Sequence, residues 1–428
     1  MEAKSMGSKK IIQLLIVLGV LLGLFLLQMY SDLIWENKPE KEESGEVISI
    51  WTMHGDTEKA LNVALEQYKE KHPEVTFEVT IYKNEVYQTA VNNAILTDSL
   101  PDMFFMWGHS KLWRFVNAGM IQEITEAVEE EGISPKLREG GLDAFTYNGE
   151  IYALPLYGWR AYLFCNRDLF EENGIKYPES FEEFLEVSEK FKQLGITPAV
   201  TGAKDGWLSS LYYMSLVQGE GKGDFVYKAA TDKRLFSSFQ FAEAAKKMDQ
   251  IIKGDIWQKG FLDYDGYNAV HLFSQGEAAM LYYGNWASTF LESDISKVKG
   301  KVDVIPFPNK EDDEGIGGYV DTFVINKHGV IPQSEEMIHM YIEIMNSISN
   351  VVVNDIGAGI PVYKSQAVDE EKFPILYQCW TMYNNQTLYP AYDQIMSEEL
   401  SGNYYYLLSD FVYGKKSYKE FIEELSEE

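Results

Sequence analysis

Residues 47–82 decide the fold class of this chain, and they read VISIWTMHGDTEKALNVALEQYKEKHPEVTFEVTIY. The first five of these residues form an apolar run that is typical of a short buried strand. Residues 57–72 then carry one apolar helical stripe, made of Ala60, Leu61, Ala64, Leu65 and Tyr68. After Pro73, apolar and polar residues alternate up to Ile81, which is the period of a second strand. A strand–helix–strand unit of this kind predicts a parallel sheet with a right-handed crossover.

The same α/β pattern continues along the rest of the chain. Residues 103–106 predict a buried strand, and Ser180 with Glu183 predicts a capped helix start. Residues 207–273 are mainly helical in pattern, and further strands are predicted at 151–156, 196–200, 278–283, 302–307 and 322–326. The 428 residues suit two lobes of ordinary size, and the absence of a fixed-period repeat excludes solenoids and propellers.

Composition narrows the range of partners. The formal net charge of −29 repels nucleic acid, so no nucleic-acid partner is expected, and it favours neutral or cationic small ligands. Aromatic residues make up 14% of the chain, and 28 of them are tyrosines, which suits a cleft that is half apolar and half hydrogen-bonding. Cys165 and Cys379 lie in apolar or aromatic stretches and are expected to be buried thiols without a bridge.

The N-terminus predicts a membrane attachment. Residues 11–31 form a run of 21 residues without a charge, preceded by Lys9 and Lys10. About 20 apolar residues span a bilayer as a helix, with flanking lysines on the cytoplasmic side. We therefore expect a cytoplasmic segment at 1–10, an uncleaved signal anchor at 11–31 and a tether at 32–45, with the remainder extracellular. A cleaved signal peptide is the alternative, although residues 27–33 contain no small-x-small cleavage site.

Several aromatic and polar residues follow predicted strands directly. In open α/β sheets ligands bind beyond the carboxyl ends of strands. The residues at such places are Trp51, His54, Trp107, Tyr157, Trp159, Asn285 and Trp286. Indole faces stack on the apolar faces of pyranose rings, while polar groups at the rim satisfy hydroxyls. The shared placement therefore indicates a carbohydrate cleft, although packing is the alternative for each single aromatic.

Catalytic signatures are missing from the sequence. The six histidines match no HExxH spacing, and no GxSxG elbow, Walker loop or strand-linked GxGxxG occurs. Acidic pairs are too numerous among 66 acidic residues for a glycosidase dyad to be singled out. We therefore expect a protein that is not an enzyme and that needs no cofactor and no metal. A glycoside hydrolase is the enzymatic alternative.

Taken in order, several segments resemble the family 1 extracellular solute-binding proteins, the sugar-receptor class that includes maltose-binding protein. The segments are PDMFFMW at 101–107, NAGMIQ at 117–122, GEIYALP at 149–155, NRDLF at 166–170, FSQGEAAM at 273–280 and GNWA at 284–287. Shorter matches are IPV at 360–362 and VYG at 412–414. The resemblance runs over nearly all of residues 46–428.

The resemblance implies a two-lobed α/β fold of the periplasmic-binding-protein (Venus-flytrap) type, here preceded by one transmembrane helix. Three crossings are expected near Leu156, Ile305 and Ile360. Lobe 1 is then 46–156 plus 306–360, and lobe 2 is 157–305 plus 361–428. The resemblance further implies a monomeric receptor that closes on its ligand and delivers it to the permease of an ABC importer.

Within that fold we expect Trp107 and Trp159 to act as stacking platforms, with Trp286 closing over the sugar from the opposite lobe. Trp51 and Trp207 are weaker aromatic candidates, and Tyr157 lies beside them. The expected hydroxyl partners are His54, Asn285, Asp321 and Asp393. A relative of the same fold that binds a cationic or peptide ligand stays open as an alternative to sugar.

Overall fold

The computed structural model describes residues 47–221, 223–309, 314–384 and 387–427. The predicted N-terminal segment, anchor and tether lie outside these residues. Among the helices of the described part, none combines the length and the apolar character needed to cross a membrane.

Strands and helices alternate along the chain. The strands are β1 Val47–Met53, β2 Thr76–Tyr82, β3 Met103–Trp107, β4 Thr146–Tyr147, β5 Glu150–Ile151, β6 Trp159–Asn166, β7 Thr197–Val200, β8 Ala278–Gly284, β9 Val302–Ile305, β10 Glu314–Gly318, β11 Asp321–Ile325 and β12 Thr387–Tyr389. The helices are α1 Asp56–Lys71, α2 Asn84–Thr97, α3 Ser110–Asn117, α4 Thr125–Glu130, α5 Arg167–Glu172, α6 Phe181–Gln193, α7 Trp207–Gly221, α8 Gly223–Ala229, α9 Phe239–Lys253, α10 Gly266–Ser274, α11 Ala287–Leu291, α12 Glu335–Asn350, α13 Pro374–Tyr383, α14 Tyr392–Ile395, α15 Glu398–Val412 and α16 Tyr418–Glu427.

The first sheet has the strand order β11-β3-β1-β2. β1, α1 and β2 follow one another and β2 neighbours β1 in this sheet, so the predicted strand–helix–strand order is present. β1 is parallel to β3, with Ile50 opposite Met103. β11 returns antiparallel to β3. The sheet packs against α1, α3 and α12, and its side chains Ile48, Ile50 and Phe104 are fully buried. This sheet and its helices form the first lobe.

The second sheet has the strand order β12-β10-β6-β8-β7, and β9 also pairs with β6. β6 is buried along its whole length, as expected for a central strand with helices on both faces. Helices α5 to α11 and α13 to α16 surround this sheet and complete the second lobe. Cys165 in β6 and Cys379 in α13 are both buried and free, as the sequence predicts.

The chain passes between the two sheets at residues 156–158, 319–320 and 357–360. These three segments lie side by side. Leu156 donates a backbone hydrogen bond to Asp321, and Gly158 and Ile360 exchange two. The expected crossings near Leu156 and Ile360 fall in the first and third of these segments. After the third segment, however, Val362 accepts from the Arg138 amide and Lys364 donates to the Lys136 carbonyl, both in the first lobe, so the expected start of lobe 2 at residue 361 is too early.

The second crossing differs from the expected position near Ile305. After β9 the chain stays in the second sheet, because β10 pairs with the first residues of β6. Only from Asp321 onward does it pair with β3 in the first sheet. Residues 306–309 and 314–318 therefore belong to the second lobe and not to lobe 1 as expected, since β10 pairs with the same edge of β6 that β9 occupies.

Two glycines allow the crossings to approach each other closely. A Cβ atom on Gly158 would lie 2.8 Å from the ring of Tyr319, and one on Gly359 would lie 2.5 Å from the Tyr157 side chain. A side chain at either position would push the crossing segments apart.

Candidate ligand-binding site

Four aromatic side chains of the second lobe pack into one group, which we call the tryptophan cluster: Trp159, Trp207, Tyr283 and Trp286. The ring centroid of Trp286 lies 5.6 Å from that of Trp159, 6.0 Å from that of Trp207 and 5.4 Å from that of Tyr283. Trp207 also meets Tyr283 at 5.1 Å. Most of these contacts are edge-to-face, the arrangement that aromatic pairs prefer.

Strand pairing explains why the cluster forms. β6 and β8 are antiparallel, so Trp159 at the start of β6 lies near the end of β8, where Tyr283 and Trp286 follow. Trp286 lies directly over Gly284, where a Cβ atom would be 1.9 Å from an indole carbon. A side chain at residue 284 would displace the Trp286 ring, so the ring can lie here only because residue 284 is a glycine.

The members of the tryptophan cluster differ in exposure. Trp159 is only 6% exposed, whereas Trp207 and Trp286 are half-buried. The Trp159 indole therefore packs against Trp286 in the interior and offers little surface to a ligand. Trp286 belongs to the same lobe as Trp159, so of the two expected stacking platforms only Trp107 lies in the opposite lobe.

The first lobe contributes a second aromatic run. Trp107 ends β3 and is half-buried, with Phe105 at 5.2 Å and Tyr87 at 6.3 Å from its ring centroid. The ammonium group of Lys111 lies 5.4 Å from the centroid of the Trp107 ring. Trp51 continues the run through Tyr82, at 5.1 Å, and is half-buried against the core.

One crossing brings the aromatic groups of the two lobes together. Trp107 pairs with Asp321 at the start of β11, and Trp159 pairs with Gly318 at the end of β10. Only Tyr319 and Val320 separate these two ladder positions. Trp107 and the tryptophan cluster therefore flank the same short segment of chain.

Asp321 and Tyr157 form the polar centre of this region. Burial raises the pKa of the Asp321 carboxyl to about 7, and a hydrogen bond from the Tyr157 hydroxyl offsets part of that shift. Burial and the neighbouring Asp321 carboxyl raise the pKa of Tyr157 well above its usual range. The Tyr157 hydroxyl also lies 2.9 Å from the Thr57 hydroxyl at the start of α1. A carboxyl with this pKa changes between donor and acceptor near neutral pH.

A side-chain hydrogen bond links the two lobes next to Trp286. Thr289 in α11 donates to Asp56 Oδ2 at 3.0 Å, and Asp56 also pairs with Lys59 at 2.8 Å. Asp56 and Thr57 begin α1, so the first turn of that helix approaches both Tyr157 and the tryptophan cluster.

Three of the predicted hydroxyl partners have other roles. Asn285 is fully buried; its Oδ1 accepts from the Arg160 amide at 2.8 Å, and its Nδ2 donates to the Ala358 carbonyl at 2.9 Å. Its side chain thus ties β6 to the third crossing and is closed to a ligand. Asp393 pairs with Lys111 at 3.1 Å. The His54 side chain is 71% exposed and pairs with Glu58, at 2.7 Å.

Sequence reasoning missed five residues of this region: Asp56, Thr57, Lys111, Tyr283 and Thr289. Asp56 and Thr57 come shortly after His54 beyond the carboxyl end of β1, so a slightly wider use of the strand-end rule could have found them. No local pattern marks Thr289, because its partner Asp56 lies 233 residues away.

One group of potential metal ligands occurs in the described part of the chain. Carboxylate oxygens of Glu130 and Glu335 and a ring nitrogen of His339 lie within 4.8 Å of one another. They belong to α4 and α12 at the surface of the first lobe. Glu131 accepts from His339 Nδ1 at 2.6 Å and raises the pKa of the imidazole, which favours an ion pair at this place.

Comparison with known proteins gives one family match. Residues 54–333 match the model of the family described as bacterial extracellular solute-binding protein. The multiple sugar-binding protein of Streptococcus mutans is 22% identical over 296 residues, which cover 65% of this chain and 67% of that protein. A Pyrococcus horikoshii protein described as an uncharacterised ABC transporter extracellular-binding protein is 23% identical over 60% of each chain.

Solved structures share the fold over almost their full length. A structure from work on xylan utilisation by the thermophilic bacterium Caldanaerobius polysaccharolyticus superposes with a TM-score of 0.83 at 25% identity, over 89% of this chain and 99% of that one. A chitin oligosaccharide binding protein gives a TM-score of 0.79 at 20% identity, over 89% and 97% of the two chains. The two-lobed α/β fold is therefore the fold expected from the sequence.

Proposed function

The chain belongs to the bacterial extracellular solute-binding protein family, and on that premise we propose that it captures a neutral sugar or oligosaccharide between its two lobes. The observation that carries this proposal is the placement of Trp107 and the tryptophan cluster on the two sides of one crossing. Half-buried indoles on both sides of a closing cleft provide stacking faces for a pyranose ring.

Charge balance in the region favours a neutral ligand. The acidic groups beside the aromatic side chains already have partners: Asp56 pairs with Lys59, and Asp393 pairs with Lys111. Asp321 is largely uncharged below neutral pH, because burial raises its pKa to about 7. A cationic ligand would compete with Lys59 and Lys111 for these carboxylates, whereas a neutral sugar would leave both ion pairs intact. Similarity to proteins named for sugar and chitin oligosaccharide binding supports the same ligand class.

A cationic ligand is the second candidate, and the net charge of −29 is the observation that favours it. Isothermal titration calorimetry separates the two candidates. Xylotriose, maltotriose, raffinose and chitotriose form one arm, and spermidine and a neutral tripeptide form the other. We expect micromolar or tighter binding in the sugar arm alone. Binding of spermidine with no heat from any sugar would contradict the proposal.

We further propose that the protein binds without catalysis and needs no cofactor. The family is one of solute-binding proteins, and among the described residues the Asp56 and Asp393 carboxylates beside the aromatic side chains are paired with Lys59 and Lys111, which leaves neither free to act as acid or base. Chromatography after a long incubation with the best ligand checks this. Hydrolysis that follows the purified protein and disappears with one carboxylate substitution would contradict it.

In the cell we propose a monomer that delivers its ligand to the membrane subunits of an ABC importer. Residues 11–31 would hold it at the outer face of the membrane. The three chain crossings between the sheets would serve as the hinge, with the lobes divided at residues 156–158, 319–320 and 357–360.

A further inference from the structure

Helix α3 of the first lobe contacts α14 and α15 of the second lobe through polar side chains. Lys111 Nζ lies 3.1 Å from Asp393 Oδ2, and Arg114 forms an ion pair with Glu398. Ser110 donates to the Gln394 carbonyl at 2.6 Å. These contacts are separate from the three crossings, which hold the lobes together covalently.

We propose that the pairs Lys111–Asp393 and Arg114–Glu398 form a cross-lobe clasp that sets how readily the lobes close. The clasp rests on the proposed function in one respect: closure is taken to create the binding site. Its residues determine affinity through the position of the lobes. They are positioning residues, and Asp393 is assigned to this pair in place of a sugar hydroxyl.

Burial makes the inner pair the stronger one. The side chains of Lys111 and Asp393 are 21% and 20% exposed, whereas those of Arg114 and Glu398 are 34% and 68% exposed. Solvent screens the outer pair, as it does most surface ion pairs. Separation of the inner pair would leave two partly desolvated charges, so removing one partner costs more than the pair itself contributes.

The first-lobe half of the clasp is held in position before closure. Arg114 Nη2 donates to Asn92 Oδ1 in α2 at 2.8 Å, and Lys111 lies over the Trp107 ring. Both contacts lie within the first lobe, so they do not depend on the second. Pre-positioned partners lose less side-chain freedom when the contact forms.

Because ligand binds only the closed form, the apparent dissociation constant is the intrinsic constant divided by the closed fraction. A weaker clasp should therefore lower the affinity for every ligand by the same factor. A residue that touches the ligand would change affinities by different factors for different sugars. This uniformity separates the two kinds of residue.

Charge reversal with rescue tests the clasp. We would prepare Lys111→Glu, Asp393→Lys and the double swap, with Lys111→Met and Asp393→Asn as milder variants if a reversal unfolds. Nitroxide labels at Leu96→Cys and Ile295→Cys report the distance between the lobes without ligand. Both sites are exposed, at 84% and 66%, while Cys165 and Cys379 are buried and will not react. A swap of Lys71 and Glu343, an ion pair within the first lobe, is the matched control.

We expect each reversal to lengthen the label distance and to weaken xylotriose and maltotriose binding equally, by at least about tenfold. The double swap should restore both readouts, and the Lys71–Glu343 swap should change neither. Unchanged distances in the reversal variants, or a double swap as impaired as the single variants, would overturn the clasp. If the distances respond but no sugar binds, the clasp stands and the proposed function fails.

Discussion

Trp286→Ala is the substitution that examines the aromatic site most sharply. The indole contacts Trp159, Trp207 and Tyr283, with centroid separations of 5.6, 6.0 and 5.4 Å. Three such contacts at about 0.5–1.5 kcal/mol each set an upper range for the lost packing. Because Trp286 is half-buried, we expect the free energy of unfolding to fall by about 1–3 kcal/mol. A domain with about 5–15 kcal/mol of stability remains folded after such a loss.

Trp286→Ala should also weaken sugar binding. A central aromatic anchor contributes about 2 kcal/mol or more on truncation, which corresponds to about thirtyfold in affinity. Calorimetry with the best sugar of the panel measures this loss, and urea unfolding of the unliganded protein measures stability. Phe239→Ala is the control, because Phe239 is an aromatic residue on α9 that is 69% exposed. It should leave affinity unchanged.

Two results would refute this reasoning. If Trp286→Ala binds sugar with wild-type affinity, the tryptophan cluster is a packing feature and the site lies elsewhere. If the variant unfolds as completely as Trp159→Ala, whose indole is 6% exposed, Trp286 is a core residue. Fluorescence of the remaining tryptophans distinguishes an unfolded variant from one that is folded and weakly binding.

Three further predictions concern Asp321, Asn285 and the N-terminus. In wild type the folded-state pKa of Asp321 is about 7, so between about pH 4 and 7 the folded protein keeps a proton that the unfolded chain releases. The free energy of unfolding of wild type therefore falls as pH rises through that window. In Asp321→Asn this contribution is absent, and the free energy of unfolding should depend less on pH there. Urea unfolding at pH 5 and pH 8 gives the change in the free energy of unfolding between these two pH values. The same change in wild type and in Asp321→Asn would contradict the raised pKa of Asp321. Asn285→Ala should lower stability by about 2–4 kcal/mol, since it leaves the Arg160 amide and the Ala358 carbonyl without partners; a loss below about 0.5 kcal/mol would show that water replaces them. N-terminal sequencing of protein from membranes should find residues before Ser31, and a mature start beyond Gln28 would contradict the anchor.

Local patterns predict many of the strands and helices, but β6, the central strand of the second sheet, is not among them. The alternation up to Ile81 and the apolar run at 103–106 each predict a strand that the structure contains, because burial of one or both faces dictates these patterns. The strand predicted at 151–156 is wrong beyond Ile151. The amides of residues 152–156 bond outside any ladder, for example Leu154 to the Tyr341 hydroxyl at 3.2 Å, so the apolar run there forms no strand.

The site was predictable in part. Trp107 follows the strand-end rule, since β3 is a parallel strand whose carboxyl end faces the cleft. Trp159 is in the region for another reason: it begins β6, and the antiparallel neighbour β8 brings Trp286 to it. The contacts of Asn285 with Ala358 and of Asp393 with Lys111 were not predictable, because these partners are distant in sequence and no local pattern reports such a contact.

Small-angle scattering with and without saturating sugar is the most direct measurement of capture between two lobes. Ligand contacts that exist only in the closed form shift the population toward it. We predict a smaller radius of gyration for wild type with its best sugar, and no change for Trp286→Ala at the same sugar concentration. Superimposable curves for wild type with and without a sugar that calorimetry shows to bind would contradict the account.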